Sequence, residues 1–141
     1  MSAANIELTR RWIDAFNARD IEAQITYCDA SIEFHSTFAA VGGGVYHGHD
    51  GMRRWHRDLQ QTWGDEIRID PEAFFDLGEH TLLFCELHGR GQGSGAKVVN
   101  PNANVIRWRD GLCVYLNAHA HREDALRELC VTQGELEPIA P

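Results

Sequence analysis

Glu33 and His35 are a pair of side chains able to exchange a proton, set two apart in the stretch "SIEFHS". Its alternation reads as a strand, and residues two apart on a strand share a face. A weakly polar pocket raises a carboxyl pKa, and a neighbouring carboxylate fixes a histidine's tautomer and raises its pKa. Facing a pocket, His35 would be the base and Glu33 its partner or the acid. The alternative is that both look into water while Ile32 and Phe34 fill the core. Glu86, His88 and Arg90 alternate in the same way along "HTLLFCELHGRG". Turned inward, they would form a charged relay that gives His88 a place at the substrate. Leu83, Cys85 and Leu87 make the better core face, so this trio is expected to point outward. Asn102 and Asn104 share a face of "AKVVNPNANVIRW". Buried amides need partners, and these two could hold or polarise a substrate oxygen. His47-x-His49 and His119-x-His121 are weak metal signals, because a zinc site needs three or four converging ligands; no metal is expected. A serine triad, a thiolate nucleophile and a phosphate-binding glycine loop all lack their supporting residues.

Several elements must position these groups. Leu8, Trp12, Ala15 and Phe16 form one stripe of "NIELTRRWIDAFNARD", which predicts an amphipathic helix. Asp20 is placed to cap a short second helix, "IEAQITYC". The glycine loop "TFAAVGGGVYHGHDG" leads to a third helix, capped by Asp50, with Met52, Trp55, His56, Leu59 and Trp63 on its inner face. From Asp65 the chain reads as strands: "EIRID", "EAFFDL", "HTLLFCELHGRG", "AKVVNPNANVIRW" and "LCVYLNAHAH". Pro71, Gly78, "GRGQGSG" and "RDG" separate them. A brief helix, "REDALREL", follows, and residues 132–141 are expected to be frayed or loosely docked. Helices first and a meander of strands later predict an α+β fold, with helices on one face of a curved, mainly antiparallel sheet.

The "RDG" turn sets a register. A three-residue bulged turn would pair Trp108 with Leu112, Ile106 with Val114, Asn104 with Leu116 and Asn102 with Ala118. One face would then be apolar, with the two amides set in it, and suited to a core opening into a pocket. Val105, Arg107, Cys113, Tyr115, Asn117 and His119 would form a semi-polar face for solvent or a partner subunit. A two-residue turn would exchange the partners.

The chain has 141 residues, 43% hydrophobic and 24% charged, which fits one domain spanning residues 1–141. A formal net charge of -8 argues against nucleic acid and anionic membrane surfaces as partners. No run approaches the roughly 20 apolar residues of a membrane helix, and the first residues carry no apolar signal core. Cys28, Cys85, Cys113 and Cys130 are scattered, which reads as reduced thiols in a cytoplasmic protein.

The stretches "RRWIDAFNARDIEAQITYCDASIEFHS" and "YHGHDGMRRW", with "RWRDG" before a final strand, resemble the nuclear-transport-factor-2-like superfamily and, within it, the SnoaL-like group. The resemblance implies a cone-shaped sheet wrapped around a pocket that the N-terminal helices close. It also implies a homodimer formed through the back of the sheet. Related activities are ketosteroid isomerisation, scytalone dehydration, limonene-epoxide hydrolysis and polyketide ring closure, run without metal or organic cofactor. Against the isomerase, the oxyanion tyrosine falls on Trp12, the general base on Phe34 and the second oxyanion donor near Asn104, so that reaction is not expected. Against the epoxide hydrolase, the water-holding tyrosine and asparagine fall on Glu33 and His35 and the water-activating aspartate on Ala118.

The resulting expectation is a mostly apolar pocket for a small hydrophobic, oxygen-bearing molecule. Trp12, Phe16, Trp55, Leu59, His88, Asn102, Asn104 and Leu116 would bind it, and Glu33 and His35 would perform cofactor-independent proton transfer as an isomerase, dehydratase, cyclase or epoxide hydrolase. The alternatives are a non-catalytic binding module and a dimeric scaffold of the same fold.

Overall fold

The structure is a computed structural model that describes residues 2–37, 44–90 and 95–141. The glycine-rich segment 38–43 and the tip of the "GRGQGSG" hairpin, 91–94, lie outside the described residues. Helix α1, Ser2–Asn17, buries Ile6, Trp12, Ile13 and Phe16 along one side. Asp20 caps the short α2, Ile21–Ile25, by accepting a hydrogen bond from the Ala23 backbone N–H at 3.0 Å. Strand β1, Cys28–Ser36, leads by way of β2, Val45–His47, into α3, Gly48–Trp63. That helix begins two residues before the expected cap, so Asp50 sits in its first turn.

Strands β3 (Arg68–Leu77), β4 (His80–Arg90), β5 (Lys97–Arg109) and β6 (Leu112–His119) follow, and α4 (Arg122–Glu128) ends the regular structure apart from a single turn at Gln133–Glu135. They make one curved, unclosed six-stranded sheet in the order β2-β1-β6-β5-β4-β3. Neighbours are antiparallel except β1 and β6, which run parallel. The two strands expected around Pro71 are one strand with an irregularity between Pro71 and Ala73. Proline cannot donate to the ladder, so a break in register there follows from its chemistry.

The β5–β6 turn differs from the expectation in an informative way. It is a two-residue turn, with Asp110 at φ 52° and Gly111 at φ 78°, and it pairs Arg109 with Leu112 and Trp108 with Cys113. Positive φ at both central residues is what the right-handed twist of a tight hairpin asks for. A second irregularity then leaves Val114 unpaired, and Arg107 meets Tyr115, Ile106 meets Leu116 and Asn104 meets Ala118. The bulge flips the faces that the shorter turn had exchanged. Asn102, Asn104, Ile106 and Trp108 therefore still share a face with Leu116 and Ala118, as expected, but Cys113 joins them.

The concave face packs on α1 and α3 through Trp12, Phe16, Ile32, Phe34, Trp55, Leu59, Ile69, Leu83 and Leu116. The helices do not all lie on that side. α4 covers part of the convex face, where Ala125 closes a smaller cluster with Phe75, Leu82, Phe84, Ala103 and Val105. Residues 132–141, expected to hang loosely, return to the free edge of β3. Ile139 exchanges two backbone hydrogen bonds with Phe74, at 2.7 and 2.9 Å. The Asn17 side chain does the same further along that edge, accepting from Ile69 N–H and donating to Ile69 C=O, each at 2.8 Å. An edge strand left bare would offer these groups to another chain. Among the described residues no helix is long and apolar enough to cross a membrane.

Candidate functional site

Between the helices and the concave face lies a cavity lined by Trp12, Phe16, Phe34, Ser36, Trp55, Leu59, Ile69, Leu87, Asn102, Asn104 and Ala118. The spacings that build the helices put its aromatic walls in place. Trp12 and Phe16 are four apart on α1, and Trp55 and Leu59 four apart on α3, so each pair stands on one helix face. Trp12 stacks on Trp55 at 6.2 Å between ring centres, and Phe34 packs on Trp55 at 4.5 Å. The space left is about 20 Å³. That is room for a single water, so the walls nearly touch.

The floor is polar. Asn102 and Asn104 are 3% and 4% exposed and flank the thiol of Cys85 on β4. Cys85 Sγ donates to Asn102 Oδ1 at 3.1 Å, and Asn104 Nδ2 donates to the same sulfur at 3.4 Å. Burial pushes the thiol pKa up to about 12, so it keeps its proton and acts as a donor rather than a nucleophile. From the convex side the Arg122 guanidinium of α4 donates to the backbone carbonyls of Cys85 at 3.0 Å and Asn102 at 3.3 Å. It also pairs with Glu72 at 3.0 Å and lies over the Phe84 ring. The two residues under the cavity are thus held from behind. In the wall, the indole N–H of Trp55 is buried and has no hydrogen-bond acceptor among the described residues. His56, next along α3, has its pKa lowered by burial and then by Arg19, so it stays neutral at pH 7.

Trp12, Phe16, Trp55, Leu59, Asn102 and Asn104 meet at this cavity. Leu116 lies outside its lining, fully buried opposite Phe34 in the β1–β6 ladder. Glu33 and His35 do share a face and touch at 2.5 Å, but theirs is the convex face. Phe34 and Ser36 are the β1 residues that line the cavity. Strand alternation permits only one of the two sets, and the rings of Trp55 and Tyr46 take Phe34. The placement of Glu33 and His35 at the same pocket as the amides is therefore corrected. His35 packs instead against Tyr115, and Glu33 and Tyr115 share an open groove with Arg107 and Arg109. His88 faces outward, the side expected for its trio, 3.1 Å from Asp70 and 3.5 Å from Glu86, and so lies outside the cavity lining. The histidine pairs take separate partners: His49 meets the Cys28 carbonyl and His119 meets Glu128. Sequence reasoning left Ser36, Ile69 and Leu87 out of the site, and reached Phe34 and Ala118 only as positions on which the relatives' base and aspartate fall. The alternation that joined Glu33 to His35 joins Phe34 to Ser36 equally well.

The family model for the SnoaL-like domain matches residues 9–116. Among curated proteins, none matches the sequence. Solved structures of similar fold include an NTF2-like protein of unknown function from Burkholderia pseudomallei, 20% identical over 88% of this chain and 95% of that one, with a TM-score of 0.76. TerC co-crystallized with polyporic acid is 21% identical over 89% and 97%, with a TM-score of 0.74. A protein with a ketosteroid isomerase-like fold from Catenulispora acidiphila, in complex with trimethylamine, is 14% identical over 89% and 94%, with a TM-score of 0.73. At these identities the structural likeness carries the fold alone. The family match extends from the helix that supplies Trp12 to the strand that supplies Leu116, and the chain belongs to the SnoaL-like domain family.

Proposed function

We propose that this protein binds a small, flat, oxygen-bearing molecule between the α3 indole and the amide floor, and that the nearly closed walls part to admit it. The buried Trp55 N–H, which has no acceptor among the described residues and stands in the cavity wall, carries the reading. A buried donor left unpaired is costly, and a ligand oxygen would remove the cost. An amide has two N–H donors and two carbonyl lone pairs, so Asn102 and Asn104 keep capacity beyond their bonds to Cys85. Fold relatives that carry polyporic acid and trimethylamine support a ligand-binding use of the fold. Binding is better supported here than proton transfer, because the described lining residues include no carboxylate and no imidazole.

The test is a two-dimensional NMR titration with acetophenone that follows the indole N–H signals. Trp55 should shift. Trp108, whose N–H already donates to Thr9 Oγ1 at 3.1 Å, should not. Asn102→Leu should weaken binding about tenfold, the value of one buried hydrogen bond. A Trp55 signal that stays fixed at saturating acetophenone sinks the reading.

A second reading keeps Glu33 and His35 as an acid–base pair working from the convex face, and their 2.5 Å contact favours it. Self-association through the back of the sheet would use this same polar half, since α4 already covers the apolar half.

A further inference from the structure

Beyond Leu87 lies a second cavity of about 70 Å³, lined by Trp63, Leu87, Gly89, Val98 and Asn100. Leu87 is the wall common to both spaces. The other walls run on without a break. On α3, Trp55 and Leu59 face the first space and Trp63 the second, each four residues from the next. On β5, Asn104 and Asn102 face the first and Asn100 the second, each two residues from the next. Four helical residues advance about 6 Å and two strand residues about 6.7 Å, so the walls keep step. Gly89 lines the far end. A Cβ there would stand 3.3 Å from the Trp63 Cβ, so the missing side chain lets Trp63 lie against β4.

The amides along this slot are held by opposite ends. Asn102 gives its carbonyl to the Cys85 thiol, which turns its NH₂ into the donor left for a ligand. Asn100 gives an N–H to the Ala120 carbonyl at 3.1 Å, which leaves its own carbonyl as an acceptor. A carbonyl oxygen suits the first and a hydroxyl the second.

We propose that the two cavities are one slot divided by the Leu87 side chain, and that its ligand is an aromatic hydroxy-ketone with the ketone at Asn102 and the hydroxyl at Asn100. The inference rests on the binding reading above and adds a second subsite and a ligand class. One rung of β5 separates the Cα atoms of the two residues by about 6.7 Å, a span nearer that of a hydroxyl para to the ketone across one ring than that of a meta one. Leu87 turns aside to let the ring pass.

Calorimetric and NMR titrations with acetophenone, 3-hydroxyacetophenone and 4-hydroxyacetophenone test it. The wild type should bind the 4-hydroxy compound about fivefold more tightly than the other two, the effect of one half-buried hydrogen bond. Asn100→Ala should erase that preference and leave acetophenone binding unchanged, which also shows that the variant is folded. Equal affinity for all three probes in the wild type, with acetophenone binding still sensitive to Asn102→Leu, overturns the slot and leaves the binding reading standing. A preference that survives Asn100→Ala also overturns it. If no probe binds the wild type, both inferences fall.

Discussion

Removing the hydroxyl of Tyr46 should cost far more than a surface oxygen. Tyr46 is 2% exposed and donates to Asp58 Oδ2 at 2.8 Å, and Asp58 on α3 is itself 8% exposed. In Tyr46→Phe the ring keeps its edge contact with Phe34 and its place under Arg54, so packing is preserved. What is lost is a hydrogen bond to a charged acceptor, which leaves the buried carboxylate short of a donor. Such bonds are worth about 1.5–3 kcal/mol, and with Arg54 close by we expect about 2 kcal/mol. For a chain of this size that lowers the melting temperature by about 6 °C. Burial, and then the bond to Asp58, push the Tyr46 pKa from 10.0 up to about 12. The fold therefore favours the neutral phenol. The contribution is complete below pH 10, where both states are protonated, and fades as pH rises toward 12, because the unfolded chain ionises first. Urea unfolding of both proteins at pH 7, 10 and 11.5 should show the stability gap narrowing across the last two. A gap under about 0.5 kcal/mol at pH 7, or one that widens in alkali, would refute the reasoning.

Three further outcomes are expected. Dithionitrobenzoate should label one thiol in the native protein at pH 7, since Cys130 is exposed while Cys28, Cys85 and Cys113 are buried with raised pKa values; rapid labelling of a second would show that the core opens. Asp20→Ala should cost about 1 kcal/mol by thermal unfolding, and Asp20→Asn much less, because the cap accepts from the Ala23 N–H. A Glu33→Gln/His35→Ala variant should leave acetophenone binding at its wild-type affinity and change stability by under about 1 kcal/mol, as suits a half-exposed pair; weakened binding would put the pair back at the ligand.

The helices were legible because their signal is redundant. Trp12 and Phe16, or Trp55 and Leu59, repeat at a spacing that only a helix turns to one side. The amide floor was legible for a subtler reason. The turn is one residue shorter than the bulged turn that "RDG" suggests and Val114 adds one residue as a bulge, and these two one-residue differences cancel in which face each residue takes. No such cancellation helped β1. Ile32, Phe34 and Ser36 alternate against Ser31, Glu33 and His35, and either set can be written as a pocket. The choice is made by Trp55 and Tyr46, which are distant in sequence and whose rings claim Phe34. The near-closure of the cavity was out of reach too, because it depends on how four aromatic rings settle against each other and not on which residues they are.

The parallel pairing of β1 with β6 has a consequence for how the chain is made. Phe34 of β1 finds its ladder partner in Leu116, some eighty residues later. Contact order of this kind slows folding, since a long loop must close before the pairing repays it. During synthesis β1 and the apolar faces of α1 and α3 emerge first and wait for nearly the whole sheet. The delay ends only when β6 leaves the ribosome and slots between β1 and β5. Truncation a few residues upstream of Leu112 should therefore yield a sticky, chaperone-bound chain rather than a smaller folded one.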